Sequence, residues 1–63
     1  MKLHHTINNE YYVGNPKFDF FKTTKNENEA TEMTLEVAKQ LINTFGFNAG
    51  GTFYRDENWE IVE

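Results

Sequence analysis

Apolar and polar positions divide this chain into one helical segment and several short strand-like ones. Between Thr34 and Gly46, residues Leu35, Ala38, Leu41, Ile42 and Phe45 fall on one side of a 3.6-residue helix, with Val37 at its edge. Glu36, Lys39, Gln40 and Asn43 fall on the other side. Both ends carry a signal. The Thr34 hydroxyl suits an N-cap, and Glu36 sits where the helix dipole favours a negative charge. Gly46 suits the left-handed conformation that closes many helices. Met33, just ahead of the cap, is placed to pack against Ala38 as a hydrophobic staple.

The rest of the chain reads as strands. Residues 2–7 alternate with a period of two, setting Leu3, His5 and Ile7 against Lys2, His4 and Thr6. Asn8-Asn9 supplies a hairpin turn, because Asn tolerates positive φ, and Tyr11-Tyr12-Val13 forms the return strand. Gly14-Asn15-Pro16 is a turn by composition. Residues 17–24 then alternate again, with Phe18, Phe20 and Lys22 on one face and Asp19, Phe21 and Thr23 on the other. Rings on both faces need cover on both, either from a second chain or, for Phe21, from the Lys25 to Thr31 loop. Glu27 to Thr31 reads as a short helical turn with Ala30 packing inward. Past Gly46, Phe47 is expected to pack back on the helix and Asn48-Ala49-Gly50-Gly51 to form a flexible link. Thr52-Phe53-Tyr54 and Trp59-Glu60-Ile61-Val62 read as two strands around a turn at 55–58. Trp59 and Ile61 should face the core and Glu60 the water. The order is β-β-β-α-β-β, which predicts a single α+β domain over residues 1–63: a small antiparallel sheet with one amphipathic helix packed on it.

Size makes the aromatic content matter. A chain of 63 residues buries only about 60% of the surface its unfolded form exposes. Without Cys it has neither disulfides nor thiolate metal sites. Six Phe, three Tyr and one Trp remain to build the core. These rings imply a core completed by a second copy, a homodimer joined at a strand edge (residues 2–7 or 59–63) or over the ring face around Phe21. The net charge of −4, with Arg55 the one Arg, argues against gripping nucleic-acid phosphates. Asp56, Glu57, Glu60 and Glu63 suit a basic protein surface instead. No apolar run approaches the ~20 residues that span a bilayer. Lys2 opens a polar stretch unlike a signal peptide, so a cytoplasmic protein is expected.

The usual catalytic groups are scarce. The chain has no Ser, and no Thr sits beside a base in a recognisable arrangement. His4 and His5, neighbours in a strand, point to opposite faces and cannot chelate one metal together. No metal, cofactor or enzymatic activity is expected. Asp19, set among Phe residues, is expected at a sheet edge paired with Lys17 or Arg55. Gly50-Gly51 has neither the Lys nor the following helix of a phosphate loop and reads as a hinge or bulge. Two further readings stay open. Tyr11, Tyr12, Phe18, Phe20 and Phe21 near Lys2, Lys17 and Lys22 are the ingredients of a single-stranded nucleic-acid platform. His4 or His5 at a dimer seam is the seed of a metabolite-binding site.

The stretches Tyr11-Tyr12-Val13, Phe20-Phe21-Lys22-Thr23 and 28–38 (Asn-Glu-Ala-Thr-Glu-Met-Thr-Leu-Glu-Val-Ala) resemble a pattern of very small phage and prophage accessory proteins of Gram-positive bacteria. In that pattern an aromatic strand leads to Glu-Ala-Thr, a Ser/Thr cap and a helix of the Leu-Glu-x-Ala type. The likeness spans roughly residues 11–46, and the final hairpin expected from Thr52 to Val62 lies outside it. It implies a non-catalytic accessory protein, several of whose kind are homodimers and some of which inhibit host defence systems. On that reading the partner is a host protein. The expected contact residues are Tyr11, Tyr12, Tyr54 and Trp59, ring types that concentrate at hot spots, with Asp56, Glu57 and Glu60 as the charged rim.

Overall fold

The computed structural model describes residues 1–18 and 20–63. Asp19, and with it the expected pairing to Lys17 or Arg55, lies outside the described residues. The fold is α+β, with one helix, a four-stranded antiparallel sheet and a separate two-stranded one. β1 (Lys2–His5), β2 (Glu10–Val13) and β3 (Lys22–Thr24) follow one another. A 3-10 turn (Glu27–Glu29) and α1 (Leu35–Ile42) come next, then β4 (Gly46–Ala49), β5 (Thr52–Arg55) and β6 (Trp59–Val62). The large sheet runs β3-β2-β1-β6, so the last strand pairs with the first.

Period-two alternation decides what each strand buries. In β1, Leu3 and His5 face inward and are buried, while Lys2 and His4 face out. Leu3 lies opposite Ile61, and His5 opposite Trp59, so the inner face of the sheet is apolar where α1 crosses it. Ala38 is the helix residue buried against that face, with Leu41, Ile42 and Met33 around it. The core is Leu3, Tyr12, Ala38, Phe45 and Trp59. The rings of Phe45 and Trp59 lie 4.7 Å apart, and Phe21 packs 5.1 Å from both Tyr12 and Phe45. Residues 31–33 bridge the start of β1 and the end of β2: the Thr31 N–H donates to the Tyr12 carbonyl, and the Met33 N–H to the Met1 carbonyl.

The Thr34 cap forms as expected, its hydroxyl accepting the Val37 N–H at 3.2 Å. The far end of the helix differs. α1 stops at Ile42, well before Gly46, because Thr44 turns back and donates both its N–H and its hydroxyl to the Leu41 carbonyl. Thr and Asn compete with helical hydrogen bonding in this way. Phe45 still reaches the core, but from the connection after the helix. Gly46 therefore serves a different end: a Cβ there would lie 2.2 Å from the Tyr54 carbonyl oxygen, so only Gly admits the neighbouring strand.

Residues 46–51 depart furthest from expectation. Asn48-Ala49-Gly50-Gly51 is not a flexible link. Ala49 pairs with Thr52, and Gly50 and Gly51 sit at φ 58° and 82°, the positive pair that a two-residue type I′ hairpin requires. β4 and β5 thus pair with each other, not with β6, and Phe47 faces solvent instead of the helix. The third strand is also shorter than the pattern over 17–24, because Phe18 closes a turn onto the Asn15 carbonyl and pairing begins only at Lys22. The radius of gyration, 11.5 Å, exceeds the roughly 10.6 Å of a compact chain of this length. The β4–β5 hairpin is exposed at every strand residue.

Candidate functional site

A cleft of about 940 Å³ opens where the hairpin leaves the body. Phe45 and Trp59 lie at its base. Phe18 and Phe21, from the segment after β2, wall one side, and Phe47 from β4 walls another. Phe47 is 64% exposed and Phe18 58%. These rings are held in place by stacking: Phe18 on Phe20 at 6.2 Å, and Phe47 on Tyr54 at 5.5 Å. Among the described residues, the charged ones lining the cleft are Arg55, Asp56 and Glu57, one cation against two carboxylates.

The two acidic residues differ in availability. Asp56 accepts the Asn58 N–H and a bond from His5 Nε2, each at 3.0 Å. The backbone bond first, and then the His5 bond, hold its carboxyl below the ordinary 3.8. Asp56 therefore braces the turn between β5 and β6, and its own N–H closes the base of the hairpin on the Phe45 carbonyl at 2.8 Å. Glu57 is exposed and free to meet a partner's charge. Arg55 donates to the Asn43 side-chain oxygen at 3.3 Å.

The seven expected contact residues do not share one surface. Tyr12, 1% exposed, and Trp59, 9% exposed, are core residues. They face inward because β2 and β6 turn those positions toward α1, so neither stands on an exposed face, and both border the cleft at its base. Tyr11 and Glu60 lie on the outer face of the large sheet, both opposite His4. Tyr54 lies on the hairpin, and Asp56 and Glu57 flank the cleft. Phe18, Phe21 and Phe47 are the wall residues that sequence reasoning assigned elsewhere. The signal for Phe47 was present in Phe47-Asn48-Ala49 and Thr52-Phe53-Tyr54 around Gly-Gly, a hairpin pattern.

The histidines do point to opposite faces. His4 Nε2 contacts Asn9 Oδ1 at 2.8 Å and its Nδ1 contacts Glu60 at 2.9 Å. With acceptors at both ring nitrogens, Asn9 first and Glu60 second, its pKa is raised above 6.5. His5 Nδ1 accepts the Asn8 N–H at 3.2 Å while Nε2 serves Asp56, so both of its nitrogens are engaged. Among the described residues, no three His, Asp or Glu side chains gather at a spacing that would hold a metal ion. The Tyr12 hydroxyl is buried with no hydrogen-bond partner among the described residues, and burial pushes its pKa up. No described helix is long and apolar enough to cross a membrane.

No family model matches the chain, and no curated protein or solved structure matches it.

Proposed function

We propose that this chain acts by binding, docking its ring-lined cleft on an apolar, basic segment of another protein and so blocking that partner's working surface. The observation that carries this reading is the placement of Phe18, Phe21 and Phe47 around an open cleft with Glu57 at its rim. Exposed apolar patches rimmed by polar residues mark interaction sites, and buried aromatic anchors carry much of the binding energy at interfaces. The net charge of −4 attracts a basic partner and speeds encounter. The hairpin adds a second support. An isolated two-stranded hairpin is marginal in water, and a partner seated in the cleft would cover Phe47 and steady β4 and β5. The likeness to phage accessory proteins gives the proposal its biological setting: a homodimeric inhibitor of a host protein, in its most concrete form a bacterial anti-phage defence component.

Site-specific photo-crosslinking in bacterial cells tests this. A photoreactive residue placed at Phe18 or at Phe47 should trap the same host protein, and Glu57→Lys should reduce the yield. The same residue at Ile7, exposed in the β1–β2 turn, should trap none of it. Equal capture from position 7, or no common product from 18 and 47, would overturn the proposal.

A further inference from the structure

The large sheet leaves two strand edges open, and they are built differently. β3 is three residues long and carries Lys22, and its Thr24 hydroxyl is engaged by the adjoining loop through Glu29 and the Asn26 N–H. Short length and Lys are common devices against edge pairing. β6, Trp-Glu-Ile-Val, has no Lys, no Pro and three apolar residues in four. β1 lies inside the sheet between β2 and β6. This excludes residues 2–7 as an edge seam.

The ladder shows which backbone groups of β6 are free. Thr6 donates to the Asn58 carbonyl at 2.8 Å, in the same register that sets His4 opposite Glu60 and Lys2 opposite Val62. Hydrogen-bonded and non-hydrogen-bonded pairs alternate in an antiparallel ladder. Glu60 and Val62 therefore turn their N–H and C=O groups toward β1, and Trp59, Ile61 and Glu63 turn theirs outward. These odd-numbered positions form a self-complementary row.

We infer that β6 pairs with β6 of a second copy across a two-fold axis at Ile61, joining two four-stranded sheets into one of eight. Ile61 faces Ile61 in this register, and each exchanges its outward N–H and C=O with its counterpart. Trp59 lies opposite Glu63 of the second copy, and Glu60 opposite Val62. The neighbouring register, centred on Glu60, sets that carboxylate against its own copy, and like charges directly opposite are destabilising. The chosen register keeps the inner faces continuous and both α1 helices on one side. It also brings Glu63 of the second copy beside Trp59, at the base of the cleft. The inference rests on the homodimeric part of the proposed function and is independent of what occupies the cleft.

Two measurements on the full chain test it. Amide exchange of Ile61 and Glu63 should slow at least tenfold between dilute and concentrated samples, while light scattering moves toward twice the 7.4 kDa chain mass. The chain has no Cys, so Ile61→Cys with oxidised glutathione should give a disulfide-linked dimer. Glu60→Cys and Thr23→Cys should stay largely monomeric on the same gel. A dimer whose Ile61 amide exchanges freely overturns this seam and leaves the homodimer standing. A monomer at every concentration overturns both. Neither result bears on the crosslinks from positions 18 and 47.

Discussion

His4 shows how a surface residue couples this fold to pH. Its ring joins Glu60 of β6 to Asn9 of the β1–β2 turn, and both contacts favour the imidazolium. The folded-state pKa lies above the ordinary 6.5. Its contribution to stability is therefore fully present below pH 6.5 and is lost as pH rises through the folded-state value. Urea midpoints measured from pH 5.5 to 8.5 should fall across that window, and His4→Gln should flatten the decline. An unchanged slope in the variant would show that the two contacts do not favour the charged ring. The alternation of residues 2–5 made the outward direction of His4 readable in the sequence. Its partners were not readable, because Glu60 lies 56 positions away and reaches it through the β1–β6 register.

Among the elements, those whose local chemistry agreed with their surroundings were legible: the Thr34 cap, the β1 alternation, the inward Trp59 and Ile61. The helix C-terminus and the hairpin were not: Thr44 ends α1 ahead of Gly46, and Gly50-Gly51 turns the chain back as a hairpin instead of linking it onward. A Gly after an amphipathic run resembles a helix terminator, yet here it is needed because β5 passes too close for a side chain. Gly46→Ala should therefore disrupt the hairpin, since its Cβ would meet the backbone at Tyr54 and Arg55. Overpacking of this kind costs typically 1–3 kcal/mol and occasionally more. The expected result is loss of the β4–β5 cross-strand contacts in NMR spectra, with α1 and the large sheet retained. Intact contacts between Phe47 and Tyr54 in that variant would contradict the close approach.

At the scale of the molecule, the sequence pointed to rings and acid as the working surface, and the fold redistributed them. Tyr12 went into the core because β2 presents it to α1, while Trp59, expected inward, lies at the base of the cleft. Phe18 and Phe47, read as strand and helix-packing residues, came out to wall a cleft. No periodicity could place those two together, since they meet only through the path of the chain from β2 past α1 to the hairpin. The central claim is that this cleft takes an apolar segment flanked by basic residues. The most direct measurement is the composition of 12-residue peptides enriched from a random library on the immobilised chain, with the Phe18→Ser/Phe47→Ser variant as the counter-selection. The prediction is an aromatic or aliphatic anchor flanked by Lys or Arg, with enrichment lost on the variant and weakened by salt. Acid-flanked peptides, or the same peptides held equally by the variant, would contradict it.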